Sequence, residues 1–425
     1  MLTPGQEIEL VVEKPAAGGR MIARHDGQVV LVSGAVPGER VVARIGKADR
    51  RLAFGDVVRI AEPSSDRRAA FPDPLCGGCV YSHMDYTRQL SLKAEIVRDA
   101  FYRIGRMPLD RTVDVAPSPE RGYRMRARLH AAQGRVGFYR EGSHDLCDPA
   151  ATGQLADASL SAARTAVDIL EAAGASPSSV ELTENMAGAE RALAISIGEG
   201  SSRVRRDAHR IVESGPVRGV VIRDGRGQHV VAGEPSVADS LGELTNGRAA
   251  VGLLRRHPES FFQANRFLVP ALVNEVLDQV RGDRVVDLYA GVGLFSVALA
   301  ATSRATVVAV EGDRASGADL QANAGALGEA ITIALESVED YLRRSRGEPS
   351  TVVVDPPRTG ISSEVLDALV AWGSPRIVYV SCDPATMARD ARKLVDGGYA
   401  LISLRAFDLF PNTAHVESVG VFSRS

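Results

Sequence analysis

The sequence is poor in cysteine and in aromatic residues, and it has little net charge. Among 425 residues there are four cysteines and one tryptophan, and aromatic residues make up 5%. So few cysteines argue against a secreted, disulfide-stabilised fold and favour a reducing, cytoplasmic location. The 50 lysines and arginines nearly balance the 53 acids, which leaves a formal net charge of -3 and excludes a uniformly basic surface. Any nucleic-acid partner therefore has to bind a local basic patch.

Long apolar runs are also missing from the chain. No segment approaches the roughly 18 consecutive apolar residues of a membrane span. The first residues, MLTPGQE, lack a basic segment followed by an apolar one, so neither a signal peptide nor a membrane partner is predicted. Hydrophobic residues make up 45% and charged residues 24%, which is typical of globular proteins, and the length allows two or three domains.

The hydrophobic pattern divides the chain into three parts. Residues 1–62 contain short strand-like runs separated by glycine and proline, which predict a small all-β barrel of the OB type. Residues 63–250 predict an α+β middle domain, with helices near residues 86–104 and 158–173. In residues 251–425 strand-like and helical runs alternate, which predicts a Rossmann-like α/β domain with a mainly parallel sheet. Its last two strands have no helix between them and should pair antiparallel.

Three predicted strands of the last part end in loops with reactive side chains. The segments that follow these strands are DLYAGVG (287–293), DPPR (355–358) and SCDP (381–384). In α/β enzymes the carboxyl ends of parallel strands meet at one edge of the sheet, where the loops hold the catalytic groups. The pattern therefore predicts an enzyme whose site contains two acids, a glycine-rich turn and a thiol.

The glycine-rich turn, with Gly291 and Gly293, suits either a dinucleotide or S-adenosylmethionine. The dinucleotide pattern requires a third glycine, and Ser296 occupies that position. Asp287 at the strand end suits a ligand with a positive charge better than it suits a pyrophosphate. Glu311, which ends the next strand, could accept hydrogen bonds from a ribose diol. Each acid could instead cap a helix or face solvent, but the two together favour S-adenosylmethionine.

Cys382 indicates which atom is methylated. Sulfonium methyl donors react with amines without covalent help, whereas carbon 5 of a pyrimidine is a poor nucleophile. A thiolate that adds to carbon 6 makes carbon 5 reactive, and a base must then remove the carbon-5 proton. Cys382 as the nucleophile, Glu417 as the base and the nearby acid Asp355 supply these groups. The alternative for Cys382 is a role as a small buried hydrophobic residue.

Other activities remain as alternatives. Enzymes that methylate the amino group of a flipped base tend to place an aromatic residue after a Pro-Pro pair, whereas Arg358 follows Pro357 here. In such an enzyme the thiol would have no role, and a cytosine carbon-5 methyltransferase is disfavoured by the same arrangement of prolines. A non-catalytic RNA-binding protein is the third alternative, and the retained thiol and acids argue against it.

Six segments beyond residue 259 resemble, in content and order, the uridine carbon-5 RNA methyltransferases that use S-adenosylmethionine. They are SFFQAN (260–265), DLYAGVG (287–293), VEG (310–312), DPPRTG (355–360), VSCDPAT (380–386) and FPNTAHVES (410–418). Residues 1–62 resemble the TRAM domain, a small RNA-binding barrel of the members that modify ribosomal RNA. Because the members that modify transfer RNA commonly lack this domain, the resemblance implies large-subunit ribosomal RNA as the partner rather than transfer RNA.

The resemblance also implies roles for single residues. Cys382 would be the nucleophile and Glu417 the base that takes the carbon-5 proton, and Phe261 would lie near the target base. Leu294 departs from a polar residue that is often found at its position, which implies the loss of one cofactor contact. Four residues would contact the methyl donor: Gln263, Tyr289, Glu311 and Asp355.

Members that modify ribosomal RNA often hold an iron–sulfur cluster on four cysteines, and this chain departs from that pattern. Cys76 and Cys79 match a Cys-x-x-Cys pair, but the other two positions fall on Ala70 and Thr152. Cys147 could substitute for one of them, which gives three ligands where such clusters and structural zinc sites use four. We therefore expect reduced thiols at the Cys-x-x-Cys segment, and any bound metal would have to use these three cysteines.

Positive charge is concentrated in the middle part. Between residues 103 and 140 there are nine arginines and three acids, an excess of six positive charges. Arg124, Arg126 and Arg128 would share one face of a strand and predict a stripe that contacts RNA phosphates. The alternative is a solvated charged face. Three aromatic residues are available to stack on bases: Tyr123, Phe138 and Tyr139.

Overall fold

The computed structural model describes residues 2–16, 18–198, 203–215, 217–345 and 347–424. Within these ranges the chain forms a closed barrel, a 7-stranded sheet, a 2-stranded sheet and an 8-stranded sheet. Among the described helices, none combines the length and the apolar character that crossing a membrane requires.

The first part of the chain is the closed barrel. Its strands are β1 (Glu7–Pro15), β2 (Met21–His25), β3 (Gln28–Ser33), β4 (Arg40–Ala48) and β5 (Leu52–Glu62). They pair in the order β1-β2-β3-β5-β4, and β4 closes the barrel on β1. Alternate side chains point inward, so that Leu10 and Val12 of β1 are buried with Val41 and Ala43 of β4. The predicted barrel is confirmed, although the sequence pattern misses β2, where Ala23 and charged residues dilute the hydrophobic signal.

The middle part contains the 7-stranded sheet. Its elements are α1 (Tyr86–Arg103), β6 (Asp114–Ala116), β7 (Arg126–Ala132), β8 (Arg135–Tyr139), β9 (Leu146–Cys147), α2 (Asp157–Ala172), β10 (Pro177–Glu184), β11 (Arg191–Ile197), α3 (Val204–Glu213), β12 (Gly219–Arg223) and β13 (His229–Gly233). The sheet has the order β13-β12-β11-β10-β7-β8-β9. Val167 and Leu170 of α2 are buried in one core with Leu129 and Val180 of the sheet. The helices expected from the sequence in this part are confirmed as α1 and α2.

A hairpin connects the middle part to the last. It consists of β14 (Val237–Ser240), α4 (Leu241–Leu244) and β15 (Leu253–Arg256). The last part then alternates helices and strands: α5 (Val269–Gln279), β16 (Arg284–Leu288), α6 (Leu294–Thr302), β17 (Thr306–Val310), α7 (Arg314–Ala324), β18 (Ile331–Ala334), α8 (Val338–Arg344), β19 (Thr351–Val354), α9 (Ser363–Trp372), β20 (Arg376–Ser381), α10 (Pro384–Asp396), β21 (Tyr399–Phe407) and β22 (Glu417–Arg424).

These strands form the 8-stranded sheet in the order β18-β17-β16-β19-β20-β22-β21-β6. β16 to β20 pair in parallel, whereas β22 runs antiparallel to both β20 and β21. Separate apolar cores cover the two faces: Leu272 and Phe295 lie in one, and Val365 and Met387 in the other. Burial on both faces explains why the strands are continuously apolar. The predicted Rossmann-like fold with antiparallel last strands is confirmed.

Two elements of residues 63–250, the strand β6 and the helix α1, pack with the 8-stranded sheet or its helices and not with the middle sheet. β6 pairs in parallel with β21 and forms the edge of the 8-stranded sheet. α1 packs on α10, and Val97 and Phe101 of α1 share a core with Ala388 and Ala391 of α10. The catalytic half of the molecule therefore includes chain from well before residue 250.

Candidate active site

The pairing register of the strands brings the predicted catalytic residues together. Ser381, at the end of β20, pairs with Ser418 of β22. Because β22 runs antiparallel to β20, the next residue outward on each side is Cys382 and Glu417 respectively. The thiol and the carboxyl group predicted as nucleophile and base therefore lie side by side at the edge of the sheet.

The predicted cofactor contacts lie at the same edge. β16 is the central strand here, and its last residue, Leu288, pairs with Val310 of β17 and with Val354 of β19. Each of these three residues ends its strand. The residues that follow them are all predicted contacts to the methyl donor: Tyr289, Glu311 and Asp355. Tyr289 has a φ of 62°, a left-handed conformation that is costly for a non-glycine residue and is typical of functional sites.

Asp287 is a buried acid without a fixed partner. Its side chain is fully buried, and neither carboxylate oxygen has a partner within strict hydrogen-bond geometry among the described residues, although the hydroxyl and amide of Ser296 lie close enough to lower its pKa. Burial raises the pKa of Asp287 to about 8; nearby Ser296 opposes this rise, and the charges of Asp355 and Glu311 add to it. An acid in this state favours a ligand that brings a positive charge, because such a charge would stabilise the carboxylate.

The glycine-rich turn is held open next to Asp287. Gly291 and Gly293 have φ values of 57° and 95°, and a Cβ atom on Gly293 would lie 2.6 Å from the Val297 side chain. The space beside Gly291 is free for 4 Å around such an atom. The Gly291 amide donates to Glu311 Oε2 (2.7 Å), and the Asp313 amide donates to Glu311 Oε1 (2.6 Å). Asp313, not Glu311, caps α7, so Glu311 is not a helix cap and can accept further hydrogen bonds.

The pocket fits S-adenosylmethionine. Burial raises the pKa of Asp355 to about 7, and a hydrogen bond from the buried Gln263 opposes the rise. Glu311 has carboxylate acceptors of the kind that a ribose diol requires, and Asp287 and Asp355 are acids of the kind that suit the positive charges of a methyl donor. Leu294 is buried in the apolar core at the start of α6, so it offers no polar contact, as its departure from the family pattern implies.

Cys382 is a partly exposed free thiol between β20 and α10. The pKa of Cys382 is raised to about 12, chiefly by burial. The charges of Glu417, Asp355 and Asp383 add to the rise, whereas the charge of Arg358 opposes it. Glu417 is buried, and burial, followed by the charge of Asp355, raises its pKa well above the ordinary value. Arg358 lowers the pKa of this group as well. The sequence gives no indication of these shifts, because they depend on charges from several loops.

Arg358 is a site residue that the sequence pattern misses. Its Nη2 donates to Nδ1 of His415 at 2.9 Å, and His415 lies two residues before Glu417. Arg358 thus ties the DPPR loop to the loop that holds the base. It is also the cation that favours the ionised forms of both Cys382 and Glu417.

Buried polar side chains of α1 bind the loop that precedes Glu417. Lys93 and Asp408 form a fully buried ion pair, and Lys93 Nζ also donates to the Phe410 carbonyl oxygen at 3.0 Å. Gln89 exchanges two hydrogen bonds with Asn412, which has a φ of 64°. The sequence does contain a signal for these contacts. Gln89 and Lys93 lie four residues apart on the buried face of a helix, and such side chains are seldom buried without partners.

The arginine stripe is present but only partly free. Arg124, Arg126 and Arg128 alternate with buried residues and share one face; Arg128 is exposed, and the other two are half-buried. Arg126 Nε donates to the Ser260 carbonyl oxygen at 3.2 Å and lies over the ring of Phe261 at 5.6 Å. Phe261 is 60% exposed, so its other face is open to a base.

The aromatic residues predicted to stack on bases are mostly not available. Tyr123 and Phe138 are buried, so the prediction is wrong for both: each side chain fills the interior under the stripe. Tyr139 is half-buried and stacks on His130 with 3.7 Å between the ring centroids. Of the aromatic residues singled out by the sequence, Phe261 is the one with a largely exposed ring.

The predicted metal ligands do not form a metal site. Cys76 and Cys147 are joined in a disulfide, which leaves Cys79 as a buried free thiol. The expectation of reduced thiols is therefore wrong for Cys76, and the set of three ligands is not available. Thr152 donates to the Pro149 carbonyl oxygen at 2.7 Å and closes a helical turn. Three sulfurs, two of them bonded to each other, do not fit a four-thiolate cluster. Among the described residues no other group of metal-binding side chains occurs.

The disulfide should contribute strongly to stability. It joins residues 71 positions apart in the sequence, and closing a loop of that length lowers the entropy of the unfolded chain by the equivalent of about 4 kcal/mol. We expect the double variant Cys76→Ala/Cys147→Ala, or the reduced protein, to lose stability on that scale in urea unfolding. Cys79→Ala is the matched control and should change little. Titration of four free thiols in the unfolded, unreduced protein would contradict this expectation.

The fold and the arrangement of strand-end residues are those of a Rossmann-like enzyme, and comparison with known proteins specifies its family. The family model of tRNA (uracil-5-)-methyltransferases matches residues 217–425, and the TRAM domain model matches residues 2–58. A Streptomyces coelicolor protein named as an uncharacterized RNA methyltransferase is 34% identical over 440 residues, covering 98% of this chain and 93% of its own. The chain therefore belongs to the uracil-5 RNA methyltransferase family, in the form that has an N-terminal TRAM domain, and it is an RNA (uracil-C5) methyltransferase.

Two further comparisons extend over nearly the whole chain. The 23S rRNA (uracil(1939)-C(5))-methyltransferase RlmD of Methylococcus capsulatus is 33% identical over 442 residues, covering 99% of this chain and 98% of its own. The crystal structure of Pyrococcus abyssi tRNA (uracil-54, C5)-methyltransferase with S-adenosyl-L-homocysteine has a TM-score of 0.76 and 23% identity, and it covers 97% of this chain and 99% of its own. At that identity the structural likeness establishes the shared fold.

Proposed function

We propose that the chain methylates carbon 5 of a specific uridine in large-subunit ribosomal RNA through a transient bond between Cys382 and carbon 6. The observation that supports this most directly is the register of β20 and β22, which sets the thiol beside Glu417. The open glycine turn and the unpaired Asp287 lie at the same edge of the sheet. The residues proposed as nucleophile, base and cofactor contacts thus all follow or end strands at one edge of the 8-stranded sheet.

The residues account for each step of the reaction. The target uridine has to leave the base stack to reach the cleft. Cys382 loses its thiol proton to solvent, its Sγ bonds as the thiolate to carbon 6, and the electron pair of the 5,6 double bond moves into an enolate. Bound S-adenosylmethionine supplies an electrophilic methyl group to carbon 5. Glu417 then takes the carbon-5 proton, the double bond re-forms, and the bond between sulfur and carbon 6 breaks. Arg358 assists because it favours the thiolate and the carboxylate over their protonated forms.

The choice of ribosomal RNA rests on the TRAM barrel and on the end-to-end likeness to a relative named for 23S rRNA. We also propose a cytoplasmic location, on the ground that such an RNA would be met there during ribosome assembly; the disulfide between Cys76 and Cys147 is unusual for a protein of a reducing compartment. The test is to incubate the protein with labelled methyl donor and either 23S rRNA or transfer RNA transcripts, and to analyse the nucleosides. We expect 5-methyluridine in 23S rRNA and little label in transfer RNA. Label confined to transfer RNA, or on an atom other than carbon 5, would overturn the proposal.

Affinity for the methyl donor should depend on pH. The raised pKa values of Asp355 (about 7) and Asp287 (about 8) mean that both acids become protonated as the pH falls through this range. Because ionised carboxylates attract a cationic ligand, we expect S-adenosylmethionine to bind several-fold to about tenfold more weakly at pH 6 than at pH 8. S-adenosylhomocysteine lacks the sulfonium charge and should show a smaller change.

Calorimetry of both ligands at several pH values measures this effect. Binding of S-adenosylmethionine near neutral pH should release protons from these acids. The release is detected as a dependence of the binding heat on the choice of buffer. Asp287→Asn should reduce both the pH dependence and the proton release. Equal pH dependence for the two ligands would exclude the ionisation of these acids as the cause.

A further inference from the structure

Arg124 is a half-buried cation with an unfilled hydrogen-bonding edge. Its Nε donates to the Arg126 carbonyl oxygen (3.1 Å), and its Nη1 donates to Gln154 Oε1 (2.8 Å). A guanidinium has five N–H groups, so three remain. None of the described residues accepts a hydrogen bond from Nη2, and none offers Arg124 a carboxylate within ion-pair distance. Burial lowers the pKa of Arg124, yet an arginine stays charged at neutral pH.

The surroundings hold this guanidinium in one orientation. Its carbon Cζ lies 5.0 Å from the ring centroid of Phe138 and 5.7 Å from that of Phe410. Gln154, which accepts from Arg124, also accepts from the Tyr123 hydroxyl (3.1 Å) and donates to the Gly77 carbonyl oxygen (2.9 Å). The side chain is therefore ordered before any ligand arrives, which lowers the entropic cost of binding.

Arg124 is connected to the catalytic loop through one aromatic ring. Phe410 contacts Arg124 on one side, and its ring centroid lies 6.0 Å from that of His415. His415 is bonded to Arg358 and precedes Glu417 by two residues. The pKa of His415 is lowered by partial burial and then by the charges of Arg358, Lys93 and Arg124, which places these cations around the same loop.

The neighbouring Arg126 differs from Arg124 because protein groups already pair with its charge. Arg126 has a carboxylate partner, Glu181 at 3.7 Å, and a backbone acceptor, the Ser260 carbonyl oxygen. Arg124 is more enclosed by aromatic rings and has no carboxylate partner. A partly desolvated charge without a counter-charge is unfavourable unless a ligand supplies one.

We propose that Arg124 binds a phosphodiester group of the RNA beside the target uridine once that nucleotide has swung out of its helix. The inference deepens the proposed function and rests on it. The remaining N–H groups on Nη1 and Nη2 form the planar fork that matches two oxygens of one phosphate. The phosphate would supply the missing negative charge, and the stacked rings would hold the fork toward it. Arg124 is thus a substrate-binding residue that fixes the backbone of the extruded nucleotide.

The test uses two substitutions and a distant control. Arg124→Met removes the charge but keeps an apolar stem between the rings, whereas Arg124→Lys keeps the charge and loses the fork. Arg304 is exposed and precedes β17, at the opposite end of the strands from the site, so Arg304→Met is the matched control. We expect Arg124→Met to weaken RNA binding by about tenfold or more. It should also reduce the slope of log affinity against log salt by about one, which Arg304→Met and Arg124→Lys should not do.

RNA with a single neutral methylphosphonate linkage assigns the phosphate. Moved through the positions around the target uridine, the neutral linkage should weaken binding to the wild-type protein at one position, on the 5′ or the 3′ side. Arg124→Met should be insensitive to the linkage at that position, while its melting temperature and its affinity for S-adenosylmethionine stay unchanged. Arg124→Lys should lose affinity without losing the salt slope, which provides a second readout should the methionine variant fold poorly.

Three outcomes separate the inference from the function. If the wild-type protein forms 5-methyluridine and Arg124→Met binds RNA with the wild-type affinity and salt slope, the inference fails and the function stands. A methylphosphonate effect that is undiminished in Arg124→Met overturns the inference as well. If the wild-type protein forms no 5-methyluridine in any RNA, the proposed function fails, and the phosphate site loses its basis with it.

Discussion

Replacing Cys382 by alanine should abolish RNA methylation and, with it, the covalent complex that the protein forms with RNA containing 5-fluorouridine. In this RNA, fluorine replaces the carbon-5 hydrogen that the base would otherwise remove as a proton. Elimination is therefore blocked, and the wild-type enzyme should remain bonded to the methylated base. Without the sulfur no bond to carbon 6 forms, and carbon 5 stays unreactive. We expect the rate to fall by more than about a thousandfold, the scale of loss when a catalytic nucleophile is removed.

The measurement is a denaturing gel of the protein after incubation with 5-fluorouridine RNA and S-adenosylmethionine, together with a methylation assay on normal RNA. Cys79→Ala is the control, because Cys79 is the other free cysteine and its side chain is fully buried. It should retain both the adduct and the activity. An adduct that persists in Cys382→Ala would reject this residue as the nucleophile, whatever the activity of the variant.

Glu417→Gln should stop the reaction one step later. Glutamine has the same size as glutamate and still forms hydrogen bonds, but it cannot accept the carbon-5 proton. The thiol can add and the methyl group can transfer, yet the bond between sulfur and carbon 6 cannot break by elimination. We therefore expect a stable complex with ordinary RNA, in which the uridine has already gained its methyl group.

Labelled methyl donor distinguishes this complex from simple tight binding. The label should migrate with the protein on a denaturing gel, and nuclease digestion should leave a methylated nucleotide attached to a peptide that contains Cys382. The double variant Cys382→Ala/Glu417→Gln should give no such band. Multiple turnovers by Glu417→Gln at the wild-type rate would show that another group removes the proton.

Much of the fold and the site follows from sequence pattern because the relevant signals are local. Alternating strand-like and helical runs predict a parallel sheet, and the residue after each parallel strand must lie at the same edge of that sheet. That rule alone brings Asp355, Tyr289 and Glu311 together. The antiparallel last strand adds Glu417 beside Cys382, since a strand that returns without a helix reverses direction.

The remainder depends on contacts that no local pattern encodes. Nothing in the spacing of Arg124 and Arg126 reveals that one has a carboxylate partner and the other has none. The prediction that Tyr123 stacks on RNA failed because alternation gives two faces of a strand without saying which one is buried. The disulfide joins Cys76 to a cysteine 71 positions away, and pairing over that distance is set by the fold. The raised pKa of Cys382 likewise results from burial in the folded structure and then from acids on other loops.

The placement of α1 and β6 restricts how this enzyme could be divided. A fragment that starts at residue 251 would include all six sequence segments that resemble the methyltransferase family, so the sequence alone would suggest a complete catalytic domain. It would nevertheless leave Asp408 buried without Lys93, Asn412 without Gln89, and one edge of β21 without its partner strand β6. Any shortened version that is meant to work, whether made by a protein engineer or by gene fission, has to begin upstream of Tyr86.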